Sequence, residues 1–125
     1  MAKIVIDVIP HEDQRYPTVG DWIEIADGLQ IYVSKMSDPR YEELVLVHEL
    51  VEAILCRRRG ISQEAVDKFD LSFESNRPDG DLSEPGDDPT APYRDEHRFA
   101  TAVERLLAQE LGVDWIAYET EVEHL

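Results

Sequence analysis

Residues 44–55 read LVLVHELVEAIL, a run in which His48, Glu49 and Glu52 are the only ionisable side chains. At about 100° per residue these three fall in one arc, roughly 40° to 140° from Leu44, while Val47, Leu50, Val51, Ile54 and Leu55 fill much of the rest. Ionisable groups on a face otherwise built for burial need a partner that offsets their desolvation. His48 and Glu52 are four residues apart, so their side chains emerge one above the other and can close on a single cation. This is the spacing of His-Glu-x-x-His zinc helices, in which the intervening glutamate is the general base, with Glu52 standing where the second histidine would be. A carboxylate oxygen is a legitimate zinc ligand, and two histidines with one glutamate form an established catalytic set. The expected ion is Zn2+, with another divalent metal as the alternative.

The missing ligand should then be a histidine, and the chain offers His11, His97 and His124. His11 belongs to an early loop, and His124 is one residue from the end of the sequence, where order is doubtful. His97 shares a helical face with Ala100, Thr101, Glu104 and Ala108, and the small residues there would let that face lie close against another helix. Glu104 is placed to orient a ligand from outside the metal's own contacts.

A blander account competes with this one. Glu49 and Glu52 could pair with Arg94 or Arg98, and His48 could be a satisfied core histidine. Cys56 reads as a buried structural cysteine before a thiolate ligand. Residues 79–88 are Asp-rich but lack EF-hand ligand spacing, so they read as a solvated loop rather than a calcium site. Tyr32, Tyr93 and Tyr118 are read as packing residues before oxyanion stabilisers, and Trp22 and Trp115 as core.

The elements that must position these groups follow from pattern and punctuation. Lys3–Ile9 alternates and is β-branched, and Pro10 ends it; 21–25 and 29–33 read as two further strands joined by Ala26-Asp-Gly28, with Gly28 available for positive φ. Ser37 or Asp38 caps a helix from about Pro39 to Arg59, whose cationic last turn precedes Gly60. A shorter helix starts at Ser62 and reaches about Phe73. Residues 76–92, with four prolines, read as a long surface loop, able to serve as a lid. A second long helix spans about Tyr93 to Leu111; 114–118 could be a short helix or a strand, and 119–125 should fray. The fold class is therefore α+β: a small N-terminal sheet and hairpin, a buried helix carrying the site, and a second long helix, in a single domain over residues 1–125.

Composition narrows the function. With 28 acidic against 12 basic side chains the formal charge is −16, which repels phosphate backbones and anionic headgroups, so neither nucleic acid nor a membrane surface is an expected partner. One cysteine excludes an internal disulfide and a Cys-x-x-Cys knuckle. The N-terminal apolar run is too short for a secretory signal and no stretch reaches membrane-span length, so a cytoplasmic protein is expected.

Strands, then a helix bearing His48-Glu49-x-x-Glu52, then a helix bearing a third ligand: this order resembles the minimal zincin metallopeptidase scaffold. In size and motif the chain is also similar to small zincin-related proteins of phages and prophages. The resemblance implies His48 and His97 as zinc ligands and Glu49 as general base. It also implies an edge strand that binds extended peptide by strand addition, for which Leu29, Gln30, Ile31, Tyr32 and Val33 are the natural candidates. Glu52 departs from the family pattern, and an anionic ligand makes the ion less electrophilic than a neutral imidazole would. The expected function is a zinc-dependent, metallopeptidase-like hydrolase acting on polypeptide. The alternative is a non-catalytic acidic binding or inhibitor protein on the same scaffold, occupying a protein partner.

Overall fold

Three short β-branched segments form one sheet, and four helices follow it, an α+β arrangement. The computed structural model describes residues 2–125. The strands are β1 (Lys3–Ile9), β2 (Gly20–Ile25) and β3 (Gly28–Ser34), and the helices are α1 (Pro39–Arg58), α2 (Gln63–Ser75), α3 (Arg94–Glu110) and α4 (Trp115–Glu123).

The strand order is β1-β3-β2, with β1 parallel and β2 antiparallel to β3. This overturns the expectation that 29–33 is an edge. Leu29, Gln30, Ile31, Tyr32 and Val33 lie in the middle strand, hydrogen-bonded on both sides, and offer no free backbone for a peptide to pair with. The physical reason is the parallel return of β1, a non-local pairing that hairpin signals do not contain. The hairpin turn is Ala26–Asp27, and Gly28 does not use positive φ. Glycine is needed at 28 because a side chain would run into the Lys3 carbonyl of β1.

Leu29, Ile31 and Val33 point their buried side chains at α1, which packs across β2 and β3. Asp38 caps α1 by accepting the Arg40 N–H at 2.9 Å, and Pro39 occupies the first turn. Helix α3 lies along α1 with Ala100 and Ala108 fully or nearly buried in the contact, the close approach that small residues permit. Helices α1 and α3 are followed by Gly60 and Gly112, both at positive φ.

The tail is better ordered than its acidic composition suggests. Residues 119–123 continue α4, which Asp114 caps at the Ala117 N–H. Tyr118 anchors the helix in the interior, and Glu121 accepts bonds from the Ser37 backbone and hydroxyl. No helix among the described residues is long and apolar enough to cross a membrane.

Candidate metal centre

Helix α1 presents His48, Glu49 and Glu52, all buried, towards α3 and β2, and the first turn of α3 brings His97 over them. His48 Nε2 lies 3.2 Å from Glu52 Oε2 and 3.2 Å from His97 Nδ1, and His97 Nδ1 lies 3.0 Å from Glu52 Oε2. These three atoms form a nearly equilateral triangle. A tetrahedral zinc with bonds of ~2.0–2.1 Å requires donors about 3.3–3.4 Å apart, so the triangle fits a tetrahedral face to within a few tenths of an ångström. The structure thus brings together the three ligand candidates drawn from the sequence, and leaves His11 on Ser34 and His124 on the Thr120 carbonyl.

Each of the three is held from behind. His48 Nδ1 meets Glu104 Oε1 at 2.8 Å, and Glu104 Oε2 accepts the Tyr118 hydroxyl at 2.5 Å. Trp22 Nε1 donates to Glu52 Oε1 at 3.2 Å, leaving Oε2 for the triangle. On the far side of the His97 ring, Nε2 lies 3.0 Å from Glu84 Oε2 and 3.4 Å from Asp87 Oδ1. Glu104 behind His48 and Trp22 behind Glu52 orient those groups through hydrogen bonds, as partners of metal-ligating groups do, whereas Glu84 and Asp87 meet His97 Nε2 as charges without hydrogen-bond geometry. Of these partners Glu104 is readable from the helical face. Trp22 reads in sequence as core alone, and Glu84 and Asp87 sit in the segment that reads as a solvated loop.

Electrostatics follow from this packing. Burial works against the His48 imidazolium, but Glu104 and Glu52 together outweigh it and raise its pKa well above the ordinary value. His97, likewise opposed by burial, is pushed up to about 12 by Asp87, Glu52 and Glu84. Burial would raise the Glu52 carboxyl, but the two histidines hold it down at about 2. The surrounding carboxylates thus favour the protonated form of each ring, and a divalent cation would compete with those protons for the same nitrogens. Glu52 is met by His48 and His97, not by Arg94 or Arg98 as in the blander account, whose satisfied buried His48 does fit, with both ring nitrogens partnered; Arg98 is exposed, and Arg59 pairs with Glu96 at 2.7 Å.

Glu49 stands apart from the triangle. Its carboxylate comes no closer than 4.0 Å to His48 Nε2, and burial followed by the charge of Glu52 raises its pKa well above the usual carboxylate range. A carboxyl poised higher than normal, beside but not inside a ligand set, is suited to taking and giving back a proton. Gly20 at the start of β2 makes room for it: a Cβ there would lie 2.7 Å from Glu49 Cγ.

The group opens into a cleft of about 580 Å³ bounded by β2, α2, the 82–87 segment and α4. The sequence points to β3 as the peptide strand; the strand that borders this cleft is β2, through Gly20, Asp21 and Trp22. Farther along, its Glu24 N–H is taken by Gln63 of α2 at 2.6 Å. Cys56 is fully buried with its thiol pushed up to about 12 by burial, and it takes no part in the triangle. A scan against protein-family models finds no match, and neither a search of curated proteins nor one of solved structures finds any.

Proposed function

We propose that this chain is a zinc-dependent hydrolase of the zincin type, cytoplasmic, acting on polypeptide, with His48, Glu52 and His97 as ligands. One observation carries the reading. Three donor atoms of suitable chemistry lie 3.0–3.2 Å apart, buried, with a separate polar partner behind each residue. When bound, the ion supplies Lewis-acid polarisation to a carbonyl and to water. Glu49 takes the proton of the attacking water and returns it to the leaving amine. Glu104 and Tyr118 hold the His48 ring, and Trp22 holds the Glu52 carboxylate, so the residues need little rearrangement to act. The 82–87 segment, which contacts His97 from the solvent side, is the natural lid over the cleft.

A second reading has its own support. His48 and His97 already sit in an ion-pair network with Glu52, Glu104, Glu84 and Asp87, and such a network serves equally well in a non-catalytic acidic protein that occupies a basic partner. Elemental analysis of protein purified without added metal separates the two: close to one zinc per chain is expected. Metal-free protein that is fully folded and equally heat-stable in chelator would remove the hydrolase. For loaded protein, Glu49→Gln should retain zinc while abolishing cleavage of unfolded polypeptide substrates. Unchanged cleavage would remove Glu49 from its role.

A further inference from the structure

On the other side of the sheet from the cleft, β1 leaves its outer edge open. Its side chains Ile4, Ile6 and Val8 share one face and are 43, 45 and 48% exposed. The register sets them beside Leu29, Ile31 and Val33 of β3, which are buried almost completely beneath α1. The core-facing row therefore continues one strand beyond the helix that covers it. Helix α1 carries a matching flank. Val45 and Glu49 approach Gly20 of β2, and turning onward past the buried Ala53 at about 100° per residue brings round Leu46, Leu50 and Ile54, the first two half-buried and the last exposed.

An open edge of β-branched residues is a template for another strand, and proteins that stay monomeric place charges, prolines or bulges on such edges. Strand β1 has no proline, and its two charges, Lys3 and Asp7, are spaced symmetrically about Val5. We propose that two copies of this chain join through β1, antiparallel about a two-fold axis at Val5, to make a continuous six-stranded sheet. In that register Lys3 of each copy faces Asp7 of the other, and Ile4 faces Ile6. Shifting the axis to Ile6 would instead set Asp7 against Val5 and Lys3 against Ile9, losing both opposite-charge pairs. Both registers pair apolar side chains along the row, and charge selects the one centred on Val5. The high net negative charge opposes association elsewhere on the surface, whereas β1 carries one charge of each sign. Both copies of α1 lie on the same face of the joined sheet, where Leu46, Leu50 and Ile54 close over the shared apolar row. The interface is independent of the cleft.

Sedimentation of the full chain tests this, with circular dichroism as the control for folding. A dimer is expected at about 100 µM, where a contact of ordinary size is populated. Asp7→Lys places two lysines across each pair and should weaken the dimer by about tenfold or more. Adding Lys3→Asp to that variant restores opposite charges and should restore the dimer. A monomeric wild-type chain would overturn the proposal. So would a dimer undiminished by Asp7→Lys, which would place the contact elsewhere, for instance on the exposed Phe99 and Leu106 of α3. A double variant that stays as weak as the single one would overturn it too.

Discussion

Gly86 packs so tightly on the imidazole of His97 that a Cβ added to it would lie 2.3 Å from the ring Cγ and 2.5 Å from Nδ1. The 3-10 turn Pro85–Asp87 therefore presses backbone against one face of the ring, while Glu84 and Asp87 from the same segment meet its Nε2. The loop sets the direction of Nδ1 towards Glu52.

Gly86→Ala is accordingly expected to tilt the ring or lift the turn and to weaken zinc binding by about 10–100-fold, the scale of disturbances to residues that orient ligands. Calorimetric titration of the apo protein measures it. Wild-type affinity in a normally folded variant would mean that the turn does not fix the ring.

Glu104 and Tyr118 act on the other histidine. Glu104→Gln keeps the shape but loses the charge behind His48 Nδ1, and Tyr118→Phe removes only the hydroxyl that Glu104 accepts. The expected order is a larger loss of zinc affinity for Glu104→Gln, about 10–100-fold, than for Tyr118→Phe, whose effect is relayed through one more bond. A reversed order would show that Tyr118 matters through packing rather than through the carboxylate.

Metal binding should be proton-linked. In the metal-free cluster both His48 and His97 are held protonated above their ordinary range, while zinc requires neutral imidazoles. Apparent affinity should therefore climb with pH through neutrality, by up to about 100-fold per pH unit if both rings lose a proton on binding. Titrations in buffers of different ionisation enthalpy count those protons. Affinity that does not vary between pH 6 and 8 would contradict the assignment of both rings.

Much of this arrangement is visible in sequence because its signals are local. The apolar run around His48, the cap at Asp38 and the shared face of His97, Ala100, Glu104 and Ala108 each lie within one helix, where a fixed angular step converts spacing into direction. What escapes such reading depends on distant partners. Nothing in Gly28–Ser34 announces that β1 will return beside it, because strand order is decided by pairings across the chain and not by alternation within a strand. Gly20 and Gly86 look like ordinary loop glycines until Glu49 and His97 are placed against them. Trp22 has an apolar body that reads as core, and only the fold reveals that its N–H reaches Glu52. Helix α4 is acidic and short, and it is tied down by Tyr118 reaching Glu104 and by Glu121 reaching Ser37, both distant in sequence.

Asp70 supplies a test that involves no metal. It is buried on α2, where it accepts the hydroxyls of Tyr16 at 2.9 Å and Tyr93 at 2.5 Å. Burial is the largest influence and outweighs the two hydrogen bonds, raising its pKa from 3.8 to about 6. Because the folded state holds this proton more tightly than the unfolded chain, stability falls as pH rises from about 4 to 6 and stays lower above that. Asp70→Asn removes the titration. Whatever constant offset the changed hydrogen bonds introduce, wild type should lose about 3 kcal/mol relative to this variant across that window, since one proton held only by the folded state costs ~1.4 kcal/mol for every pH unit climbed. Urea unfolding of both proteins at several pH values measures the difference. A gap that stays constant from pH 4 to 7 would mean that the two tyrosines stabilise the carboxylate enough to cancel its burial.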